Sequence, residues 1–180
     1  MKVFIAGARA VTALDGSVQK RLYNIYNKGY AVLVGDADGV DSAVQEYFSN
    51  LNYRDVTVYA SEGKARNNSG KWDVREVAVP LRSRGFSYYA AKDKAMADDA
   101  DYGFMIWNGE SKGTLNNIIN LLKQDKKSIV YLTSNGSFHS IDNFDELQDF
   151  AESCGQTAQS LLSKLSKDFA LKAFEQVSLF

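Results

Sequence analysis

Short apolar runs that alternate with amphipathic helical segments constrain this chain more than any other feature of its sequence. The runs cover residues 3–6, 31–34, 56–59, 102–107 and 128–132, and turn residues and a helical repeat of apolar side chains follow most of them. The clearest repeat occupies residues 40–51. Such alternation predicts an α/β fold with an open, mostly parallel, Rossmann-like sheet and helices on both of its faces.

The last part of the chain lacks this alternation. Residues 134–137 have the composition of a linker, and no further apolar run suited to a strand follows them. We therefore expect a Rossmann-like domain at 1–133 and a helical C-terminal extension at 134–180. The extension has a short apolar stripe, Phe144, Leu147 and Phe150, and a longer one, Leu161, Leu162, Leu165, Phe169 and Phe174. Both stripes must be buried, and packing against the α/β domain is favoured over a homo-oligomer or partner surface. No structure is assigned to residues 72–85, because Pro80 interrupts their helical pattern.

Charge and the rarer residue types argue against several classes of function. The chain has 21 basic and 22 acidic residues and a formal charge of −1, which disfavours nucleic acid and anionic membranes as partners. No run of about 18 apolar residues occurs, so we expect a cytoplasmic protein without a membrane span. One cysteine, Cys154, and one histidine, His139, which lies in the polar linker, are too few for a structural zinc site. Neither a metal nor a cofactor is expected.

Three loops join an apolar run to a helical segment, and ligands of open α/β sheets bind at such loops, beside the N-termini of helices. Glycines there let the backbone approach a ligand closely. Neither the dinucleotide fingerprint nor the Walker A order of residues is present, which disfavours a conventional NAD site and a P-loop. The expected ligand contacts are Gly7, Ala8 and Arg9 in the first loop, Gly35, Asp36, Ala37, Asp38, Gly39 and Asp41 in the second, and Asn108, Gly109, Ser111, Gly113 and Thr114 in the third.

Each of these loops also has a purely structural explanation. Asp38 or Gly39 can cap the following helix, and Asp41 can stabilise its dipole, which accounts for roughly half of the signal in the second loop. The third loop can be an ordinary polar turn.

A longer loop, residues 61–71, and three aromatic residues complete the set of candidates. The loop has three cations that are either solvated or close over phosphates: Lys64, Arg66 and Lys71. The aromatic residues flank the expected crevice and are candidates for stacking on a base: Tyr88, Tyr89 and Trp107.

In this order the motifs resemble the SLOG superfamily of Rossmann-like proteins, which includes DNA-processing protein A, the lonely-guy phosphoribohydrolases and stand-alone domains of the YspA and YpsA type. The resemblance covers about residues 1–133 and rests on Gly35-x-x-x-Gly39-x-Asp41 and Trp107-Asn108-Gly109-x-Ser111-x-Gly113-Thr114. Residues 92–101 are similar to the stand-alone branch, with Lys92-Asp93 in place of an Arg-Asn pair. The resemblance implies a pocket for a nucleotide or nucleotide-derived small molecule, with Lys92 and Asn117 as further contacts.

The expected function is binding of such a molecule by a sensor, carrier or sequestering protein. Hydrolytic members of the superfamily continue Gly-Thr-x-x-Glu, whereas this chain has Asn117 at the glutamate position. An amide cannot act as a carboxylate base or nucleophile, so hydrolysis by that route is disfavoured. The alternative is an enzyme that cleaves or transfers at the N-glycosidic bond, in which Asp98, Asp101 or Glu110 replaces the missing carboxylate.

Overall fold

The computed structural model describes residues 1–62, 64–79 and 85–177, with side chains as far as residue 167. Strands and helices follow one another along this part of the chain. They are β1 (Lys2–Gly7), α1 (Gly16–Asn27), β2 (Ala31–Gly35), α2 (Val40–Asn50), β3 (Val56–Ser61), β4 (Asp73–Val77), α3 (Phe86–Asp99), β5 (Tyr102–Trp107), α4 (Lys112–Leu122), β6 (Ser128–Leu132), β7 (Ser137–Ile141), α5 (Phe144–Ser153) and α6 (Gln156–Val177).

The strands form one sheet in the order β4-β3-β2-β1-β5-β6-β7. All neighbours are parallel except β6 and β7, which are antiparallel. The chain runs outward from β1 to β4, and α3 then carries it back to the other side of β1. The order of the strands therefore reverses at β1, and ligands of open α/β sheets bind at the carboxyl edge of such a reversal point.

Helices cover both faces of the sheet. On one face α1 and α2 bury Val18, Leu22 and Phe48 against the strands. On the other face α3 and α4 bury Met96 and Leu115. The central strands are buried on both faces, which explains their uninterrupted apolar sequences. The predicted fold class is confirmed.

The C-terminal extension packs against the α/β domain, as predicted. Leu147 and Phe150 of α5 and Leu165 of α6 share a buried cluster with Leu115 of α4. Phe144 was expected in the same apolar stripe but is 46% exposed. The side chains of Phe169 and Phe174, which were expected in the longer stripe with Leu165, lie outside the described residues. None of the helices in the described ranges is long and apolar enough to cross a membrane.

Two strands were not predicted. β4 lies in the segment to which the sequence assigned no structure, and Pro80 of that segment is outside the described residues. β7 follows residue 133 and pairs with β6, so His139 lies on a strand and not in a linker. The prediction that no strand follows residue 133 was therefore wrong, and the sheet extends to Ile141. Both strands are at the edges of the sheet, and an edge strand need not be apolar on both faces.

Candidate functional site

A crevice of about 670 Å³ opens at the carboxyl ends of β1 and β5, between α3 and α4. The structure brings most of the predicted contacts together in its lining: Gly7, Ala8, Arg9, Ala37, Asp41, Lys92, Asn108, Ser111, Gly113, Thr114, Asn117 and, from the enzymatic alternative, Glu110. Seven further lining residues were not predicted as contacts from the sequence: Ala6, Ala10, Gly85, Phe86, Tyr89 (a stacking candidate only), Ala90 and Asp93.

Five predicted contacts lie outside this lining: Gly35, Asp36, Asp38, Gly39 and Gly109. Gly35 allows tight packing, since a Cβ at this position would come within 2.3 Å of Asp41 Oδ2. Gly39 has a φ of +81°, and an added Cβ would lie 2.4 Å from the carbonyl oxygen of Arg9. Gly39 therefore lets the second loop pack against the first loop, and Gly35 leaves room for the buried side chains of Asp41 and Lys92.

Asp98 and Asp101 are also outside the crevice. Asp98, near the end of α3, pairs with Lys94 at 2.7 Å. Asp101 precedes β5 and accepts a hydrogen bond of 2.7 Å from the backbone N–H of Lys2, at the start of β1. The starts of parallel strands lie at the edge of the sheet opposite their carboxyl ends, so neither carboxylate can serve a reaction in the crevice. That part of the enzymatic alternative is corrected.

The start of α4 supplies the backbone donors of the crevice. Ser111 is the N-cap, and its Oγ accepts hydrogen bonds from the N–H and the hydroxyl of Thr114 at 3.3 and 2.9 Å. Asn108 Oδ1 accepts from the N–H of Ser111 at 3.0 Å and shapes the preceding turn. The Trp107 indole donates to the Ser111 carbonyl, and its ring is fully buried beside Phe150, so this tryptophan cannot stack on a ligand as expected.

A cluster of buried charges forms the floor of the crevice. Lys92 Nζ lies 2.9 Å from Asp93 Oδ1, 3.9 Å from Asp41 Oδ2 and 4.0 Å from Asp36 Oδ1. Burial raises the pKa of Asp41 to about 6, although the Lys92 ammonium opposes the shift. Burial alone would lower the pKa of Lys92, but the surrounding carboxylates, Asp93 first, raise it above its usual value. The ammonium therefore stays charged at neutral pH.

Asn117 closes the floor on the side of α4. Its carboxamide faces two acceptors, Asp93 Oδ2 at 3.3 Å and the carbonyl oxygen of Gly113 at 3.2 Å, so its nitrogen is the atom directed at them. The Asn117 carboxamide thus donates a hydrogen bond to a carboxylate on α3. Among the described residues no group of three His, Cys, Asp or Glu side chains is arranged to hold a metal ion.

Cations and aromatic rings share the rim of the crevice. Arg9 and Arg66 both lie against the ring of Tyr89, with Cζ 4.7 and 5.2 Å from its centre. Lys112 Nζ is 4.4 Å from the centre of the Phe86 ring. Such cation–π contacts keep the charged groups near the aromatic faces while the groups remain exposed to a ligand.

Arg66 connects the rim with the floor. Its Nε and Nη2 donate to Asp36 Oδ2 and Oδ1 at 2.9 and 2.7 Å. Partial burial favours a higher pKa for Asp36, but the hydrogen bonds from Arg66 more than offset it and hold the pKa below its usual value. A smaller groove of about 180 Å³, lined also by Lys64 and Tyr88, meets the crevice at Tyr89.

Comparisons with known proteins show the fold. No family model and no curated protein matches the chain. A solved structure of DNA processing protein A from Helicobacter pylori, a protein with a single-stranded DNA binding mode, matches with a TM-score of 0.56 and 18% identity. The match covers 93% of this chain and 81% of that chain. This chain has the same Rossmann-like fold.

This match corrects two predictions from the sequence. A nucleotide-derived small molecule was the expected ligand, with an N-glycosidic enzyme as the alternative, and nucleic acid was disfavoured. The matched protein binds single-stranded DNA. The formal charge of −1 does not exclude a nucleic-acid partner, because it is a sum over the whole chain, whereas binding depends on the local field. Four cations lie around the crevice and its adjoining groove: Arg9, Lys64, Arg66 and Lys112.

Proposed function

We propose that this chain binds single-stranded nucleic acid along the crevice and the groove that meets it at Tyr89. The observation that carries the proposal is the rim, where cations lie against aromatic rings: Arg9 and Arg66 at Tyr89, and Lys112 at Phe86. Proteins that bind single strands combine a positively charged path for the backbone with aromatic side chains on which bases stack. The single-stranded DNA binding of the matched solved structure supports the same function here.

The two cavities offer a path longer than one nucleotide. Tyr89 lines both the larger crevice and the smaller groove, and Arg66 and Lys64 lie on the side of the groove. A strand that crosses at Tyr89 would stack one base on its ring and keep its phosphates near Arg9 and Arg66. The N–H groups at the start of α4 offer a further phosphate site.

We assign the predicted contacts to this binding mode by position. Residues of the first and third loops that line the crevice would contact phosphates: Gly7, Ala8, Arg9, Asn108, Ser111, Gly113 and Thr114. Lys92, Asp41 and Asn117 form the floor beneath them. We also infer that the chain is a SLOG protein of the stand-alone branch, since its motifs lie at the reversal point of a Rossmann-like sheet.

Fluorescence anisotropy with a labelled 20-residue oligo(dT) at low salt tests the proposal. We expect Tyr89→Ala to weaken binding by about 1–3 kcal/mol, which is the usual loss for one stacked base. Arg9→Ala should weaken it as well and should reduce its dependence on salt. Lys71→Ala is the matched control, because Lys71 belongs to the same long loop as Arg66 but lines a different surface, beside Trp72.

The results that would contradict the proposal are equally specific. An oligonucleotide that fails to bind the unmodified protein at low salt would refute it. Equal weakening by Tyr89→Ala and Lys71→Ala would show that binding is a non-specific effect of surface charge.

A further inference from the structure

Asp93 lines the crevice, but the proposed binding mode gives no role to its carboxylate. It lies on α3, one residue after Lys92, and its side chain is 16% exposed and lines the crevice. Asp41 and Asp36 are almost fully buried in comparison. A negative charge at this place repels phosphate, so Asp93 must face another part of a bound strand.

The hydrogen bonds of Asp93 show what that part must provide. Oδ1 is paired with Lys92 Nζ at 2.9 Å, and Oδ2 faces the carboxamide nitrogen of Asn117 at 3.3 Å. A carboxylate has about four lone-pair positions, two on each oxygen. The two contacts therefore leave each oxygen able to accept one more hydrogen bond. The complementary group of a ligand is a neutral donor, such as a hydroxyl.

The position of Asp93, on α3, relative to the start of α4 identifies the donor. Its partner Asn117 also contacts the Gly113 carbonyl and lies five residues, about 7.5 Å, beyond Lys112, so the pair lies below the start of the helix. A phosphate at that start would be held by the free N–H groups of the first turn. The sugar is bonded directly to the phosphate and is the nearest part of the strand to reach the floor. A ribose offers a 2′-hydroxyl donor there, and an internal deoxyribose offers none.

We propose that Asp93 accepts a hydrogen bond from the 2′-hydroxyl of a bound nucleotide, so that the crevice prefers single-stranded RNA to DNA of the same sequence. This inference rests on the proposed binding of single strands. Lys92 and Asn117 are positioning residues, since they orient the carboxylate without touching the strand.

Three labelled 12-residue strands with the same base test the inference in the unmodified protein: oligo(rU), oligo(dU) and 2′-fluoro oligo(rU). The fluoro strand keeps a sugar conformation close to that of RNA but has no hydroxyl to donate. A hydrogen bond to a charged acceptor predicts that oligo(rU) binds about tenfold or more tightly than either of the other strands. Equal affinity for the three strands would overturn the inference while leaving single-strand binding intact. Equal affinity for oligo(rU) and the fluoro strand would also overturn it, because sugar conformation would then explain the preference.

Asp93→Ala isolates the acceptor. The preference for oligo(rU) over oligo(dU) should fall to less than about twofold, while the affinity for oligo(dU) stays constant or increases because a negative charge is lost. Asp98→Ala is the control, since Asp98 lies on the same helix and outside the crevice, and it should keep the full preference. A preference that persists in folded Asp93→Ala would overturn the assignment. If Asp93→Ala does not fold, Asp93→Leu, which also lacks an acceptor, and the three strands with the unmodified protein still decide it. A full preference in folded Asp93→Leu would overturn the assignment. Failure of all three strands to bind would refute the proposed function together with the inference.

Discussion

Asp41 should make the stability of this protein depend on pH in a direction opposite to that of an ordinary paired carboxylate. The side chain is 8% exposed and has a pKa raised by burial to about 6, against an ordinary value of 3.8. The folded state therefore holds a proton at pH 5 that the unfolded state has released. For a raised pKa the stabilisation is fully present below pH 4 and is lost as the pH rises through 6.

The size of the effect follows from the shift. Each pKa unit corresponds to about 1.36 kcal/mol, so a shift of about two units costs the folded state roughly 3 kcal/mol between pH 4 and pH 7. Lys92, 3.9 Å away, favours the ionised form, while Asp93 and Asp36 oppose it, and the value of about 6 already includes these contributions.

Urea unfolding of the unmodified protein and of Asp41→Asn, at intervals from pH 4 to pH 7, measures this contribution. The asparagine keeps the shape of the side chain and does not titrate. All other titratable groups are common to both proteins, so they largely cancel in the difference between the two free energies of unfolding. Asp36 has a lowered pKa, so its own contribution is lost only as the pH falls below about 4.

We expect the unmodified protein to lose about 2–3 kcal/mol relative to Asp41→Asn as the pH rises from 4 to 7. A difference that stays constant across this range would refute the reasoning from burial. A difference of opposite sign would show that the attraction of Lys92 exceeds the cost of burying the carboxylate.

Three further predictions concern the loops and the rim. Gly35→Ala should destabilise the fold by about 1–3 kcal/mol in thermal or urea unfolding, because the new Cβ would overlap Asp41 and Lys92. Gly16→Ala is the control and should cause no such loss, because no atom lies within 4 Å of its new Cβ. Ser111→Ala removes the N-cap of α4 and should cost about 1 kcal/mol of stability, and a loss below about 0.3 kcal/mol would show that the cap is not needed. If the four rim cations each neutralise one phosphate, log K for oligo(dT) should fall with log salt at a slope of about −3, and a slope near zero would exclude electrostatic binding at the rim.

The central strands could be predicted from the sequence because burial on two faces requires an apolar residue at nearly every position. The edge strands could not. Asp73–Val77 exposes most of its side chains, and Ser137–Ile141 alternates between partly buried and exposed residues up to its buried last position. Each edge strand is held by backbone hydrogen bonds to a single neighbouring strand. Such pairing does not require a particular amino-acid composition, so the sequence gives little signal for it.

The loops of the site could also be predicted, since a ligand crevice of this fold class lies where parallel strands end and helices begin. The floor could not. Asp93 and Phe86 reach the crevice because α3 crosses the sheet from β4 to β5, and helical periodicity gives no information on such a crossing. Asp98 was chosen for its chemistry, but five residues along a helix place it about 7.5 Å further from the crevice than Asp93.

The charges of the crevice are separated by depth, and this separation determines how a strand would lie in it. Arg9 and Lys112 are on the rim, whereas Asp41 and Asp93 are on the floor with Lys92 between them. A phosphate that moved inward would leave the cations and approach the carboxylates. The backbone of a bound strand would therefore stay on the rim, and the neutral donors of its sugars and bases would point inward. A net charge near zero is then compatible with the proposed binding of nucleic acid, because only the rim needs to be basic and the acidic residues of the floor would add selectivity.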